Sequence, residues 1–298
     1  MKVFNAVVRM VTVGVLMGLA GAAFAQQAYP NRPIRFIIPY PPGGGAAVVA
    51  HLISQKLTES WGQPVIVDNR PGGNTVIGTQ ALLNYPSDGY TILYTSPNHV
   101  LQPLLRTVAF DPNKDFATVG TLFSAEQVLI INASIPANNL QEFIAYAKSR
   151  PGQINYATVA TGGTTHLAAE QLNIMAGLKT QQINYKGSAQ VITDLVGGQV
   201  QMAFDIPQGA LPHIKTGRLK ALAVSGETRL ATLPQVPTFT EAGLPGFNAR
   251  IWFGVLARAG TQKDIIDKLS AEIARILAMP DVKEKLHSLA MDPFISTP

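Results

Sequence analysis

The 298-residue chain contains no cysteine, which excludes disulfides, cysteine-ligated zinc, iron–sulfur clusters and a thiol nucleophile. Charge is scarce as well. Only 14% of residues are Asp, Glu, Lys or Arg, against about 25% in an average soluble chain. With a net charge of +5, a surface of dense Lys/Arg contacts to nucleic acid is excluded, and no nucleic-acid partner is expected. The five histidines, His51, His99, His166, His213 and His287, show no His-x-x-x-His spacing, and no Gly-x-Ser-x-Gly elbow occurs. No metal site, cofactor or catalytic residue is expected. What the chain does have is a 47% apolar composition, enough for one large domain or two of ordinary size.

Long apolar runs are missing except at the start. Lys2 and Arg9 form a basic n-region, and Met10 to Ala25 runs without a charge into Ala23-Phe24-Ala25, a small-x-small cleavage signal. The run is short for a bilayer helix, which needs about 20 residues. Residues 1–25 are therefore expected to be a cleaved signal peptide, with an uncleaved anchor as the alternative. Removing them leaves 273 of the 298 residues, and losing Lys2 and Arg9 lowers the charge from +5 to +3.

Beyond the signal, short β-branched runs alternate with helical periodicity, the pattern of an α/β protein. Strands are expected at Ile34–Tyr40, Val65–Val67 and Tyr90–Thr95, with helices at Ala46–Glu59 and Thr75–Leu83 between them. The alternation then recurs. Strands are expected at Val128–Ile131, Asn155–Thr158, Gln181–Tyr185, Met202–Asp205 and Leu219–Val224, with helices at Leu140–Ser149, Thr165–Met175, Ala189–Val196 and Gly209–Thr216. Ser225–Arg250, rich in Pro and Gly and without a period, is expected to run over the surface back to the first half. Ile251–Leu256 is strand-like and Asp264–Ala278 an amphipathic helix. Two lobes with two crossings between them account for this order, and the cleft between them, at the carboxyl ends of parallel strands, is where a small ligand is expected.

Two loops carry the chemistry. Pro39-Tyr40-Pro41-Pro42-Gly43-Gly44-Gly45 joins a strand to a helix start, where close backbone approach and free N–H groups suit an anion. It lacks the patterns of nucleotide-binding loops, so a structural turn is the alternative. Thr158-Val159-Ala160-Thr161-Gly162-Gly163-Thr164-Thr165-His166 repeats the arrangement in the second half. There Thr164 or Thr165 could serve only as an N-cap. One glycine-rich helix start per lobe, facing one cleft, favours a carboxylate clamp more than either loop does alone.

Several motifs occur in order: Tyr29-Pro30-Asn31-Arg32-Pro33-Ile34, Pro39-Tyr40-Pro41-Pro42-Gly43-Gly44, Val67-Asp68-Asn69-Arg70-Pro71-Gly72, Pro86-Ser87-Asp88-Gly89-Tyr90-Thr91, Tyr185-Lys186-Gly187, Val236-Pro237-Thr238-Phe239-Thr240-Glu241-Ala242-Gly243 and Trp252-Phe253-Gly254. In these the chain resembles the periplasmic substrate-binding proteins of tripartite tricarboxylate transporters, the Bug family, over essentially its whole mature length. The resemblance implies a periplasmic, monomeric α/β protein of the two-lobe, type II Venus-flytrap kind. Residues 26–124 and 250–298 would form the first lobe and 125–249 the second. It also implies a small organic acid, or a related amide or amino acid, as ligand and the membrane permease subunits as partners. Carried onto this sequence, the first loop contributes Tyr40, Gly44, Gly45, Ala46 and Ala47, and the second Thr161, Gly163, Thr164, Thr165 and His166. Asp205 and Asn98 complete the implied set.

Two departures from the family pattern stand out. Members continue the first glycine loop with Thr-Asp and place an Arg four residues after the Asp, a pair that meets on a helix; here Ala46-Ala47 and His51 stand instead. A less polar wall, and a less polar or bulkier acid, is the expectation. The family also runs about one helix beyond Ser296-Thr297-Pro298, so a shortened end is expected here. Two other functions stay open at this point: a sensor that reports its ligand to a membrane protein, and a hydrolytic enzyme using His166 beside Thr164 and Thr165. A histidine at a helix start reads first as a packing or ligand-contacting residue.

Overall fold

The computed structural model describes residues 29–43 and 45–298; the expected signal peptide and Gly44 lie outside them. The chain opens with β1 (Ile34–Ile38), α1 (Gly45–Trp61), β2 (Val65–Asn69), α2 (Val76–Leu82), β3 (Thr91–Thr95), α3 (Asn98–Leu105) and β4 (Phe116–Ala125). It passes to β5 (Val128–Asn132), α4 (Leu140–Lys148), β6 (Asn155–Thr158), α5 (Thr164–Ala176), β7 (Gln181–Asn184), α6 (Ser188–Val196) and β8 (Met202–Asp205). A 3-10 turn at Pro207–Gly209, α7 (Leu211–Lys215) and β9 (Leu219–Val224) follow. The return runs through β10 (Ile251–Arg258), α8 (Lys263–Ala278), α9 (Pro280–Ser288) and β11 (Met291–Pro293).

Two mixed sheets result, ordered β11-β4-β10-β3-β1-β2 and β7-β6-β8-β5-β9. In the first, β1 pairs in parallel with β2 and β3, while the returning β10 runs antiparallel between β3 and β4. Insertion of that strand from the far end of the chain gives the two-lobe, type II binding-protein fold. Apart from Arg35, which pairs with Asp68 at 2.8 Å, β1 is apolar because both of its faces are covered. Ile34, Phe36 and Ile38 pack with Val49, Ile53 and Leu57 of α1, whereas Ile37 packs with Leu82 and Leu93 on the other side. In α8 the buried residues Ile266, Leu269, Ile273, Ile276 and Leu277 follow the helical period and close the same core.

The two sheets are joined where β4 passes into β5 and where the chain enters β10. Gln127 Nε2 donates to Ala249 O at 2.8 Å, and Ser225 Oγ donates to Glu126 Oε2 at 2.8 Å. Arg250 reaches the same carboxylate, with Nε 3.2 Å from Glu126 Oε1. The crossings are thus tied to each other by polar contacts.

Several expectations change. Ser225–Arg250 runs along the surface as expected but also feeds the core: Phe239 and Phe247 are buried and stack on Phe204 of β8, with ring centroids 5.9 and 5.5 Å away. The segment lacks a period because its apolar residues plug a core individually rather than line an element. The helix expected at Gly209–Thr216 is a 3-10 turn followed by the five-residue α7, since Pro212 has no N–H to carry the ladder from one into the other. β4, α3, α9 and β11 were not foreseen at all. No helix among the described residues is long and apolar enough to cross a membrane.

Candidate functional site

A cavity of about 420 Å³ lies between the two sheets, within the size range of small-molecule sites. From the first sheet's side it is lined by Tyr40 to Gly43, Asn74, Ser96, Asn98, Ile251 and Phe253. The second side contributes Val159, Ala160, Gly163, Thr164 and Thr165 after β6, and Lys186 to Gln190 after β7. Asp205, Ile206, Gln208 and Gly209 follow β8. All of these second-side stretches stand at the carboxyl ends of β6, β7 and β8, which run parallel and so bring their exit loops to one edge of the sheet.

Glycine governs two of the helix starts. The N-cap of α5 is Gly163 and that of α6 is Gly187, and neither helix has a side-chain cap. The first N–H groups of a helix have no partner within it, so both helices present open donors and a positive dipole end. Thr165 does not cap α5. Its Oγ1 lies 2.8 Å from Thr158 Oγ1 and accepts from Val159 N at 3.4 Å, which braces the loop instead.

On the opposite wall Tyr40 is anchored at both ends. Its hydroxyl donates to Ser96 Oγ at 2.7 Å and its carbonyl accepts from Asn69 Nδ2 at 3.0 Å. Burial pushes the phenol up to about 12, so it stays a neutral donor. Of the ionisable lining groups, Lys186 is the cation and Asp205 the carboxylate. Asp205 accepts from Ile206 N at 2.8 Å and from the Ser188 hydroxyl. Burial raises its pKa to about 7, against the partial offset of the Ile206 N–H bond. Near neutrality this wall therefore carries much less negative charge than an exposed aspartate would give it.

Direct contacts also join α3 to the loop after β6. Gln102 Nε2 of α3 donates to Gly162 O at 3.2 Å, and Arg106 reaches Thr161 O at 3.4 Å. Gly162 has φ +75°, and a Cβ there would stand 2.3 Å from Leu105 Cδ1. A glycine lets the second loop slide under α3.

The expected site residues divide accordingly. Tyr40, Asn98, Gly163, Thr164, Thr165 and Asp205 are brought together on the cavity. Gly44 lies outside the described residues, and only the backbone of Gly45 and Ala46, opening α1, is described. Ala47 is buried one residue further into the helix, away from the lining. Thr161 faces Gln182 and Asn184, accepting from their side chains at 3.1 and 2.9 Å. His166 turns inward, where Nδ1 accepts from Gly162 N at 3.1 Å and the ring stacks on Tyr156. His51 is exposed on α1. Asn74, Ser96, Phe253 and the start of α6 were missed. The Tyr185-Lys186-Gly187 motif was the available signal for α6.

Comparison with known proteins places these features. A family model described as "Tripartite tricarboxylate transporter family receptor" matches residues 49–297. BugT of Bordetella pertussis is 36% identical over 291 residues, covering 96% of this chain and 89% of BugT. Rpa4515 of R. palustris, solved with adipate, is 32% identical with a TM-score of 0.86 over 91% of each chain. MatC from Rhodopseudomonas palustris, solved with bound malate, is 29% identical with a TM-score of 0.82 over 89% of this chain and 90% of its own.

Proposed function

The chain belongs to the tripartite tricarboxylate transporter receptor family, and on that premise we propose that it captures a small carboxylate in the periplasm and hands it to the membrane subunits of such a transporter. The observation that carries the proposal is the cavity itself: uncapped, glycine-started helices open onto it between two sheets joined by a short hinge. In this reading residues 26–124 and 250–298 form one lobe and 125–249 the other, and the mature protein acts as a monomer after loss of residues 1–25.

Capture proceeds without turnover. The N–H groups opening α5 and α6, with Lys186, receive the anion, and Tyr40 and the start of α1 meet it from the other lobe. Closure is favoured only by the ligand's higher affinity for the closed state. That adipate and malate occupy relatives of this fold supports a carboxylate as the ligand class. Ala46 and Ala47 bring no hydrogen-bonding side chain, and Ile206, Ile251 and Phe253 give the cavity apolar walls. An aliphatic acid suits these better than an amino acid.

Calorimetry of the purified mature chain against mono-, di- and tricarboxylates and against aspartate and glutamate tests the proposal. Aliphatic acids are expected to bind at least about tenfold more tightly than the amino acids, a gap of about 1.4 kcal/mol. Tight binding of aspartate with no response to aliphatic acids overturns the ligand assignment, and chemical conversion of any bound acid overturns capture without turnover. Co-purification of the acid-loaded chain with the permease subunits distinguishes delivery from signalling to a sensor protein.

A further inference from the structure

Asn74 and Asn98 line the cavity from the first lobe and bond to each other, with Asn98 Nδ2 donating to Asn74 Oδ1 at 2.9 Å. Asn98 is 7% exposed. The bond leaves Asn98 Oδ1 and Asn74 Nδ2 buried and without any partner in the protein. Exchanging O and N in both amides reverses the bond but still leaves one carbonyl oxygen and one amino group unused. The pair therefore offers an acceptor and a donor side by side, whichever way it is oriented. Buried polar atoms are normally satisfied, and two unsatisfied ones on side chains that line a binding cavity point to a group that the cavity receives. Asn74 has φ +54°, a left-handed conformation asparagine tolerates, but the β-branched Thr75 beside it has φ +77°, which the surrounding fold must impose.

We infer that the Asn74–Asn98 pair is a specificity element that selects ligands carrying a neutral group with a donor and an acceptor on neighbouring atoms, such as a carboxamide, in addition to the carboxylate. The inference rests on the carboxylate-capture function proposed above and deepens it. An ionised carboxylate in that place satisfies the amino group of Asn74 but sets an oxygen against the oxygen of Asn98. A carboxamide satisfies both, its NH₂ donating to Asn98 Oδ1 and its carbonyl accepting from Asn74 Nδ2. The anionic end is left to the glycine-started helices, where Gly163 lies beside the Asn74 amide.

The test pairs succinate, glutarate and adipate with the monoamide of each in calorimetry at pH 8, where both carboxyls of the diacids are ionised. At least one monoamide is expected to bind about tenfold or more tightly than its diacid. In Asn98→Leu the preference should shrink to within about twofold, and Asn74→Ala, read the same way, guards against a folding defect in the first variant. Binding of the diacids without a monoamide preference overturns the inference and leaves carboxylate capture standing. A preference that survives in both variants also overturns it, because repulsion between Asp205 and a second carboxylate would then be the cause. Failure of every acid and every monoamide to bind the folded protein overturns the capture function and the inference with it.

Discussion

The two loops that face each other across the cleft both contain consecutive glycines but differ in how they are held. The second, from Thr158 to His166, is braced from within: Gly163 N donates to Ala160 O, Gly162 N to His166 Nδ1, and the Thr158 and Thr165 hydroxyls meet. Gln127 Nε2 reaches Thr164 O from the hinge at 3.4 Å. Among the described residues of the first loop, Pro41–Gly43 carry no comparable lattice. It hangs from Tyr40, whose ends are fixed to Ser96 and Asn69, and its floor is Pro39, against which α2 packs at Gly78. One wall is thus preorganised and the other is seated on its neighbours. Preorganisation lowers the entropic cost of gripping a ligand, so under the capture proposed above an incoming anion would meet the second loop ready-made and recruit the first on closure.

The largest expected effect comes from the charge buried in the ready-made wall. Asp205 titrates near 7 when folded and near 3.8 in the unfolded chain. Between those values the folded state holds more protons, so stability falls as pH rises through this window and the whole penalty is present above 7. Asp205→Asn removes it. The variant should be more stable than wild type at pH 8 by as much as about 4 kcal/mol, with the gain shrinking toward pH 4, measured by urea unfolding at both pH values. A pH-independent difference would show that burial does not tune this group. Next comes the seat of the other wall. At Gly78 a Cβ would lie 2.7 Å from Pro39 Cβ and 2.9 Å from both Arg70 O and Pro39 Cα, and backbone cannot swing aside. Gly78→Ala should cost about 2–3 kcal/mol in the same assay and weaken acid binding in calorimetry, because the displaced Pro39 carries Tyr40 with it. Unchanged affinity would mean that the first loop does not depend on its seat.

How much of this was legible in the sequence follows from the same physics. β8 and β9 were expected at their observed limits because apolar runs between turn residues leave little freedom. β4 escaped notice although it is the longest strand. Its sequence Phe-Ala-Thr-Val-Gly-Thr-Leu-Phe-Ser-Ala does not alternate cleanly, and the strand carries two register irregularities against β10 with Gly120 at φ +153°. α3 was hidden by Pro103 inside an eight-residue helix. α9 buries only Val282 and Leu286, too few to show a period. At the site, glycine-rich strand-to-helix loops announce themselves, since few other residue types permit such turns. Asn74 and Ser96 do not, because what makes them notable is a partner, or a missing one, contributed by a distant part of the chain.

The smallest expected effect separates the two loops directly. Tyr40→Phe removes a single hydroxyl, the one that ties the first loop to Ser96, and leaves the ring packed edge-on to Tyr94 and Phe253. Thr165→Val removes one hydroxyl from the second loop, where the Gly162, Gly163 and Gln127 contacts remain. Each deletion costs about 1 kcal/mol of stability on general grounds, so chemical denaturation should not tell them apart. Affinity should. If the first loop hangs from Tyr40 while the second is held redundantly, Tyr40→Phe weakens acid binding about three- to fivefold, corresponding to roughly 1 kcal/mol, and Thr165→Val changes it by less than about twofold. A larger loss in Thr165→Val would reverse the assignment, making the second loop the fragile half of the clamp.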